Sequence, residues 1–293
     1  MNARLLFVHA LSPLHAGTGQ GIGVIDLPIA REKATGLPFL PGSSIKGSLR
    51  DSCTGADCVK VFGPDTKDAE DHASSAQFAD ARLLLLPVRS LAGTFAWVTS
   101  PYVLRRFARD AADAGMKNVP DKIPEPPALD KDRVACLVVE GDCKICPAGA
   151  GKQVYLEDLD LDARSDAATK AWADWLADHL FPKDEGWHDM LPERFCVVPD
   201  DILSFLLDTA TEITARIKLL PDTKTVQDGG LWYEEALPAE SILAGLVVAT
   251  PVGKTGLTVD QIFKVVEGLT GKTVQFGGKA TVGRGLCRTQ LAE

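Results

Sequence analysis

Apolar positions along this chain fall into two periods. Runs at Leu5–Val8, Ala81–Val88, Phe95–Thr99, Cys136–Glu140, Phe195–Val198, Ile242–Ala249 and Arg284–Leu291 are continuous or alternating, which predicts strands. Helical spacing lies between them. Pro41-Gly42 followed by Ser43 and Ser44 predicts a short capped helix through Arg50, Pro101 opens another toward Ala114, and Thr258–Leu269 repeats its apolar residues at a helical period. This mixed order predicts an α+β fold rather than an all-parallel sheet.

Two stretches break the pattern. Residues 119–132, VPDKIPEPPALDKD, are too rich in proline for regular structure, and beyond them DARSDAATKAWADWLADHLF places Trp172, Trp175 and Leu176 on an amphipathic helix. Residues 105–192 are therefore expected to form an insertion into a core domain made of 1–104 and 193–293, with the two tryptophans as packing residues. Further on, ITARIKLLPDTKTVQDGGLWYEEALP, residues 213–238, predicts a long hairpin with its first turn at PDTK. No repeat of fixed period is visible.

The first strand empties into a loop with Gly17, Gly19, Gly21 and Gly23, and Asp26 follows between Ile25 and Leu27. A dinucleotide fingerprint would need glycine at 22, 24 or 26, where Ile22, Val24 and Asp26 stand, and no phosphate-loop motif ending in Gly-Lys-Ser/Thr occurs. Two readings remain open at this point: a surface loop with a solvated aspartate, or a backbone that approaches a ligand closely.

Composition narrows the classes. With 45% apolar and 24% charged residues the chain is ordinary for a soluble protein, no apolar run approaches a membrane span, and no basic leader opens it, so a cytoplasmic location without membrane is expected. Seven cysteines, an odd number, suggest reduced thiols rather than a disulfide framework. Cys143-Lys-Ile-Cys146 has a zinc-compatible spacing, without a clear second pair. The net charge of −9 argues against a surface coated for nucleic acid, yet Arg31–Arg50 and Lys272–Arg288 are basic and can hold an anion locally.

Each basic segment carries a candidate anion site. PGSSIKGSLRD places the hydroxyls of Ser43 and Ser44 at a helix start, with Lys46 and Arg50 four apart on one face. In FGGKATVGRGLCR, Gly277, Gly278, Gly283 and Gly285 surround Lys279 and Arg284, a pattern that can form an amide concavity with two cations at its rim. Arg284 is the expected phosphate fork. An ordinary capped helix and an empty glycine turn are the alternatives.

Together, the N-terminal loop ending in LPIxRE, PGSSIKGSLR, LLLLPVRSLAGTFAWVTSP, LWYEEALP and GGKATVGRG resemble the RAMP superfamily, and within it the repeated backbone subunit of type III-B CRISPR RNA-guided (Cmr) effector complexes. The resemblance implies a modified ferredoxin-like (RRM-like) palm with a helical insertion and a β-hairpin thumb. It implies copies stacked in a filament along a guide CRISPR RNA, beside other subunits, cutting complementary target RNA at regular intervals. Asp26 matches the family's catalytic aspartate, able to assist proton transfer or to hold a hydrated divalent cation such as Mg. His15 at the loop base is a second catalytic candidate or a structural residue, and Glu234 and Glu235 are acidic candidates on the returning thumb arm. Cys53, Cys58, Cys136, Cys143 and Cys146 lie outside the family pattern. A non-catalytic guide-RNA scaffold and a stand-alone nuclease that processes guide precursors are the competing readings.

Overall fold

The structure is a computed structural model that describes residues 1–293 except 20, 22, 65–69, 129–132, 142, 148–152 and 293. The last four residues of the proline-rich stretch therefore lie outside the described residues. The chain opens with β1 (Ala3–Ala10), β2 (Phe39–Leu40), α1 (Gly42–Asp51), α2 (Cys58–Phe62), β3 (Ala76–Phe78), β4 (Ala81–Arg89), β5 (Phe95–Thr99) and α3 (Pro101–Asp113). A middle section holds β6 (Val134–Val138), β7 (Gln153–Leu156), β8 (Leu159–Ser165), α4 (Ala167–Leu180), α5 (Glu185–Arg194), β9 (Phe195–Val197) and α6 (Asp200–Thr209). It closes with β10 (Glu212–Leu219), β11 (Val226–Ala236), β12 (Ile242–Ala249), α7 (Val259–Leu269), β13 (Thr273–Gln275) and β14 (Leu286–Ala292).

Among the described residues, one mixed sheet runs β13-β14-β1-β12-β4-β5-β9-β6-β8-β7, with β2 on β4 and β3 on β12, while β10 and β11 form a separate two-stranded sheet. The fold is thus mixed α+β with a large sheet and a separate hairpin. Side-chain parity shows how β1 sits in it. Phe7 meets Phe107 of α3 with ring centroids 5.9 Å apart, whereas Arg4, of opposite parity, lies over the Phe263 ring of α7. Helices therefore cover β1 on both faces, which explains its nearly unbroken apolar run.

The helix starts follow local chemistry. Ser100 accepts a hydrogen bond from the Val103 N–H ahead of Pro101, and Thr258 and Gln261 form a reciprocal capping box at the start of α7. At α1 the expectation fails: Pro41 holds the cap position and offers no side-chain cap, and the first helical N–H, that of Gly42, donates instead to the distant Asp80 carboxylate at 2.8 Å. Neither Ser43 nor Ser44 serves as the cap.

Residues 105–192 are not wholly helical. Their strands β6, β8 and β7 extend the main sheet through β9, which lies parallel to β5 and antiparallel to β6. Trp172 and Trp175 are buried, and their indole N–H groups donate to the Lys122 and Lys117 carbonyls, so they both pack and tether the proline-rich segment. One cysteine expectation is corrected as well. Cys53 and Cys58 form a disulfide, because the turn after α1 brings their Cα atoms to 5.9 Å.

The hairpin alternates as a two-faced ribbon. Its register pairs Ala215 with Tyr233 and Ile217 with Leu231 on one face, and Thr214 with Glu234 and Arg216 with Trp232 on the other. Ile213, Ile217 and Leu231 are each more than half exposed, at 51%, 54% and 53%. No helix of the described residues is long and apolar enough to cross a membrane.

Candidate functional site

Three segments far apart in sequence meet at the hairpin base: the N-terminal loop, the end of β11 and the glycine-rich turn before β14. The loop is a short stem with a projecting tip. Ala30 N–H donates to Ala16 O at 2.7 Å, Gly17 bridges Ile29, and Thr18 N–H reaches Pro28 O at 3.3 Å. Beyond the stem, Leu27 forms a parallel bridge with Glu234, through Leu27 N–H to Tyr233 O at 3.1 Å and Glu235 N–H to Leu27 O at 3.0 Å.

That bridge fixes Asp26. Its carboxylate Oδ2 accepts the Tyr233 N–H at 2.8 Å, and its own carbonyl accepts the Gly21 N–H at 2.8 Å. The side chain remains exposed. An ionised carboxylate oriented by one backbone donor keeps most of its acceptor capacity for another molecule.

The neighbouring glutamates behave differently. Glu234 is buried and receives Lys279 Nζ at 2.8 Å, Trp232 Nε1 at 2.8 Å and Arg216 Nε at 3.3 Å. Burial works against its charge, but the hydrogen bond and charge of Lys279, with Trp232 and Arg216, more than offset it and hold the carboxyl at about 2. Glu235, also buried, accepts from Arg31 at 2.6 Å, Ile29 N–H at 3.0 Å and Thr211 Oγ1 at 3.1 Å. Both carboxylates hold the loop and turn to the hairpin. Neither forms the open acidic site expected for them.

LPIxRE gains a physical meaning here. Arg31 also donates to the Leu207 and Gly36 carbonyls, so it ties the loop exit to α6 as well as to β11. Glu32 turns the other way, to Arg106 at 2.6 and 2.7 Å and Arg82 at 3.0 Å. The Arg106 hydrogen bonds bring the Glu32 carboxyl down to about 2 against the opposing effect of burial, with help from Thr35 and Arg82. A groove of about 650 Å³ opens beside this pair, lined by Lys33, Arg106, Arg109 and Tyr102 among others.

His15 is buried, and its Nδ1 donates to the Glu235 carbonyl at 2.6 Å. The opposite edge of the ring faces Gly17, where a Cβ would stand 2.6 Å from Nε2. The structure places His15 in the base of the loop, with no hydrogen bond to Asp26 among the described contacts. It supports the loop's position.

The glycine-rich turn departs furthest from expectation. Gly278 N–H donates to His15 O, Gly285 N–H to Pro13 O, Gly283 N–H to Ala280 O and Arg284 N–H to Lys279 O, so the supposed amide concavity is filled by the protein's own carbonyls. The glycines are there for close approach. Gly277 has φ +70° and a Cβ there would lie 2.4 Å from His15 O, while at Gly285 it would lie 1.9 Å from Phe276 O. Arg284 is buried, donates to Thr214 Oγ1 at 3.0 Å and faces Glu212 at 3.7 Å. It is a hairpin anchor, not an exposed phosphate fork. Burial raises the Glu212 carboxyl above its ordinary range, and the Arg284 charge opposes that rise.

On α1 the backbone is also occupied, since Ser44 and Ile45 N–H both donate to Pro41 O. The side chains carry what remains of that anion site. Ser43 is exposed, and Lys46 and Arg50 are half-buried along the helix, which packs against β13 just before the glycine-rich turn. Burial, then the adjacent Arg50 charge, lowers the Lys46 pKa. Sequence reasoning missed Tyr233 and Arg216. Tyr233 acts through its backbone, which leaves no residue-type signal.

A mixed sheet with a free-standing hairpin clamped to an aspartate-bearing loop defines the class: the chain belongs to the RAMP superfamily, whose family model matches residues 7–288. It is 36% identical over 299 residues to the CRISPR system Cmr endoribonuclease Cmr4 of Pyrococcus furiosus, covering 100% of this chain and 97% of that protein. A crystal structure of oligomeric Cmr4 from Pyrococcus furiosus superposes with a TM-score of 0.76 at 28% identity, covering 99% of this chain and 98% of the other. The same fold recurs in the type III-B Cmr-beta assembly bound to cognate target RNA, at 20% identity and a TM-score of 0.69, covering 99% and 96%. Within the superfamily the chain matches proteins named Cmr4 along essentially their whole length.

Proposed function

We propose that this chain is the repeated, RNA-cleaving backbone subunit of a type III-B CRISPR effector: it stacks with copies of itself along a guide CRISPR RNA, beside other subunits, and cuts complementary target RNA at regular intervals. The observation that carries the reading is Asp26, an exposed carboxylate oriented by the Tyr233 N–H where the loop meets the hairpin. The full-length likeness to a protein named an endoribonuclease supports it. The large sheet is then the modified ferredoxin-like palm, and residues 213–238 are the thumb. Its exposed apolar face, Ile213, Ile217 and Leu231, belongs to the same hairpin whose Tyr233 N–H orients Asp26, and is suited to contact a neighbouring copy and unstacked bases.

In this mechanism the target supplies its own nucleophile. The 2′-oxygen attacks the adjacent phosphorus, its proton passes to an acceptor, and the bond to the 5′-oxygen breaks as that oxygen takes a proton from water, leaving a 2′,3′-cyclic phosphate and a 5′-hydroxyl. Asp26 accepts or orients that proton, and the hairpin aligns the splayed nucleotide. A resident divalent cation held by protein groups alone does not fit the surroundings of Asp26, because Glu234 and Glu235 are already paired with Lys279 and Arg31. One carboxylate suits at most a hydrated ion shared with RNA phosphate. Guide phosphates are assigned to Ser43, Lys46 and Arg50. Reconstitution with guide RNA and labelled complementary RNA tests the reading: Asp26→Ala should bind target and fail to cut it, and normal cutting by the variant would refute the assignment.

A further inference from the structure

The Cys143–Cys146 motif lacks a second pair in sequence, and the fold supplies one. Antiparallel pairing of β6 with β9 sets Val138 opposite Cys196. Cys136, two residues before Val138, projects to the same face as Cys196. Both are fully buried. The residues between Cys143 and Cys146 are fixed over this part of the sheet: Lys144 N–H donates to Glu193 O at 2.9 Å, Ile145 is buried, and Gly93 leaves only enough room for the Lys144 carbonyl. Cys143 Sγ and Cys146 Sγ lie 2.9 Å apart.

We propose that Cys136, Cys143, Cys146 and Cys196 form a structural zinc site that joins the 143–146 turn to strands β6 and β9. Four sulfur ligands, two from a Cys-x-x-Cys turn and two from adjacent strands, match the closed all-thiolate chemistry of structural zinc. As they stand, the two pairs are not gathered around a common point. Binding would supply that last closure, as it does where metal binding and folding are coupled. Each thiol loses its proton to bulk water as its sulfur ligates the ion. The Lys144 N–H on the Glu193 carbonyl, three residues ahead of Cys196, holds the turn beside the chain that enters β9.

The test is metal analysis of the full chain grown with added zinc and purified without chelator or metal-affinity resin. About one zinc per chain is expected, released by a mercurial thiol reagent, and cobalt exchange should give the intense visible bands of tetrahedral thiolate coordination. The Cys143→Ser, Cys146→Ser double variant should lose the metal while Cys287→Ser retains it. These turn residues are half-exposed, so their replacement avoids the folding risk of Cys136→Ser or Cys196→Ser. Metal-free wild type after zinc addition, iron with sulfide in place of zinc, an unchanged zinc content in the double variant, or a Cys143–Cys146 disulfide in freshly isolated protein would each overturn the site.

Discussion

Asp26 and Glu235 lie on opposite sides of the same two-residue bridge between loop and hairpin, yet their surroundings have little in common. Glu235 is buried, and its two oxygens are taken by Arg31, Thr211 and the Ile29 N–H. Asp26 is exposed and is met by one backbone donor. The difference separates two uses of a carboxylate. One that is enclosed and fully partnered fixes geometry, whereas one that is oriented but open can act on another molecule.

The contrast is broken most severely at Glu235. Glu235→Ala leaves Arg31 without its buried partner and should destabilise the chain by about 3–5 kcal/mol, read by urea unfolding of the isolated subunit. A loss below about 1 kcal/mol would show that the clamp is not structural. Glu234→Gln should be milder and dependent on pH. Because the folded carboxyl is held at about 2, below its ordinary 4.5, its stabilisation is complete above about pH 4.5 and is lost as pH falls through 2. Wild type should therefore lose stability faster than Glu234→Gln across that window in acid titrations followed by circular dichroism.

Much of this fold is legible in the order of residues, and the site only in part. Strands β1, β4, β5 and β12, helices α3 and α7 and the long hairpin follow from period and caps, because those signals are local. Helix α6 was also readable, since Leu203, Leu206 and Leu207 have helical spacing behind two acidic residues. The fates of Glu234, Glu235 and Arg284 were not. Their partners Lys279, Arg31 and Glu212 lie far along the chain, and a charge in sequence gives no indication of whether a counter-charge encloses it. The glycine-rich turn misled for a related reason: its pattern permits either an anion cradle or close packing, and only the His15 and Pro13 carbonyls decide.

Two further changes sharpen the comparison at little expense to the fold. Lys46→Ala and Arg50→Ala should each weaken guide binding uniformly across sequences and reduce the slope of log affinity against log salt by about 0.7–1. An altered base preference with an unchanged slope would point away from phosphate contact. Replacing the outer part of the hairpin by a tight turn should have the smallest effect on stability, because Ile213, Ile217 and Leu231 are exposed rather than packed in the core. Regularly spaced cutting should nevertheless disappear, and an unchanged ladder of products would remove the hairpin from register setting.

Asp26→Asn isolates the charge. The amide oxygen can still accept the Tyr233 N–H, so loop geometry, melting temperature and target affinity should remain those of wild type. In the reconstituted assembly, single-turnover cleavage of labelled target should fall by about 10²-fold or more. Cleavage at the wild-type rate with intact binding would contradict the role of this carboxylate.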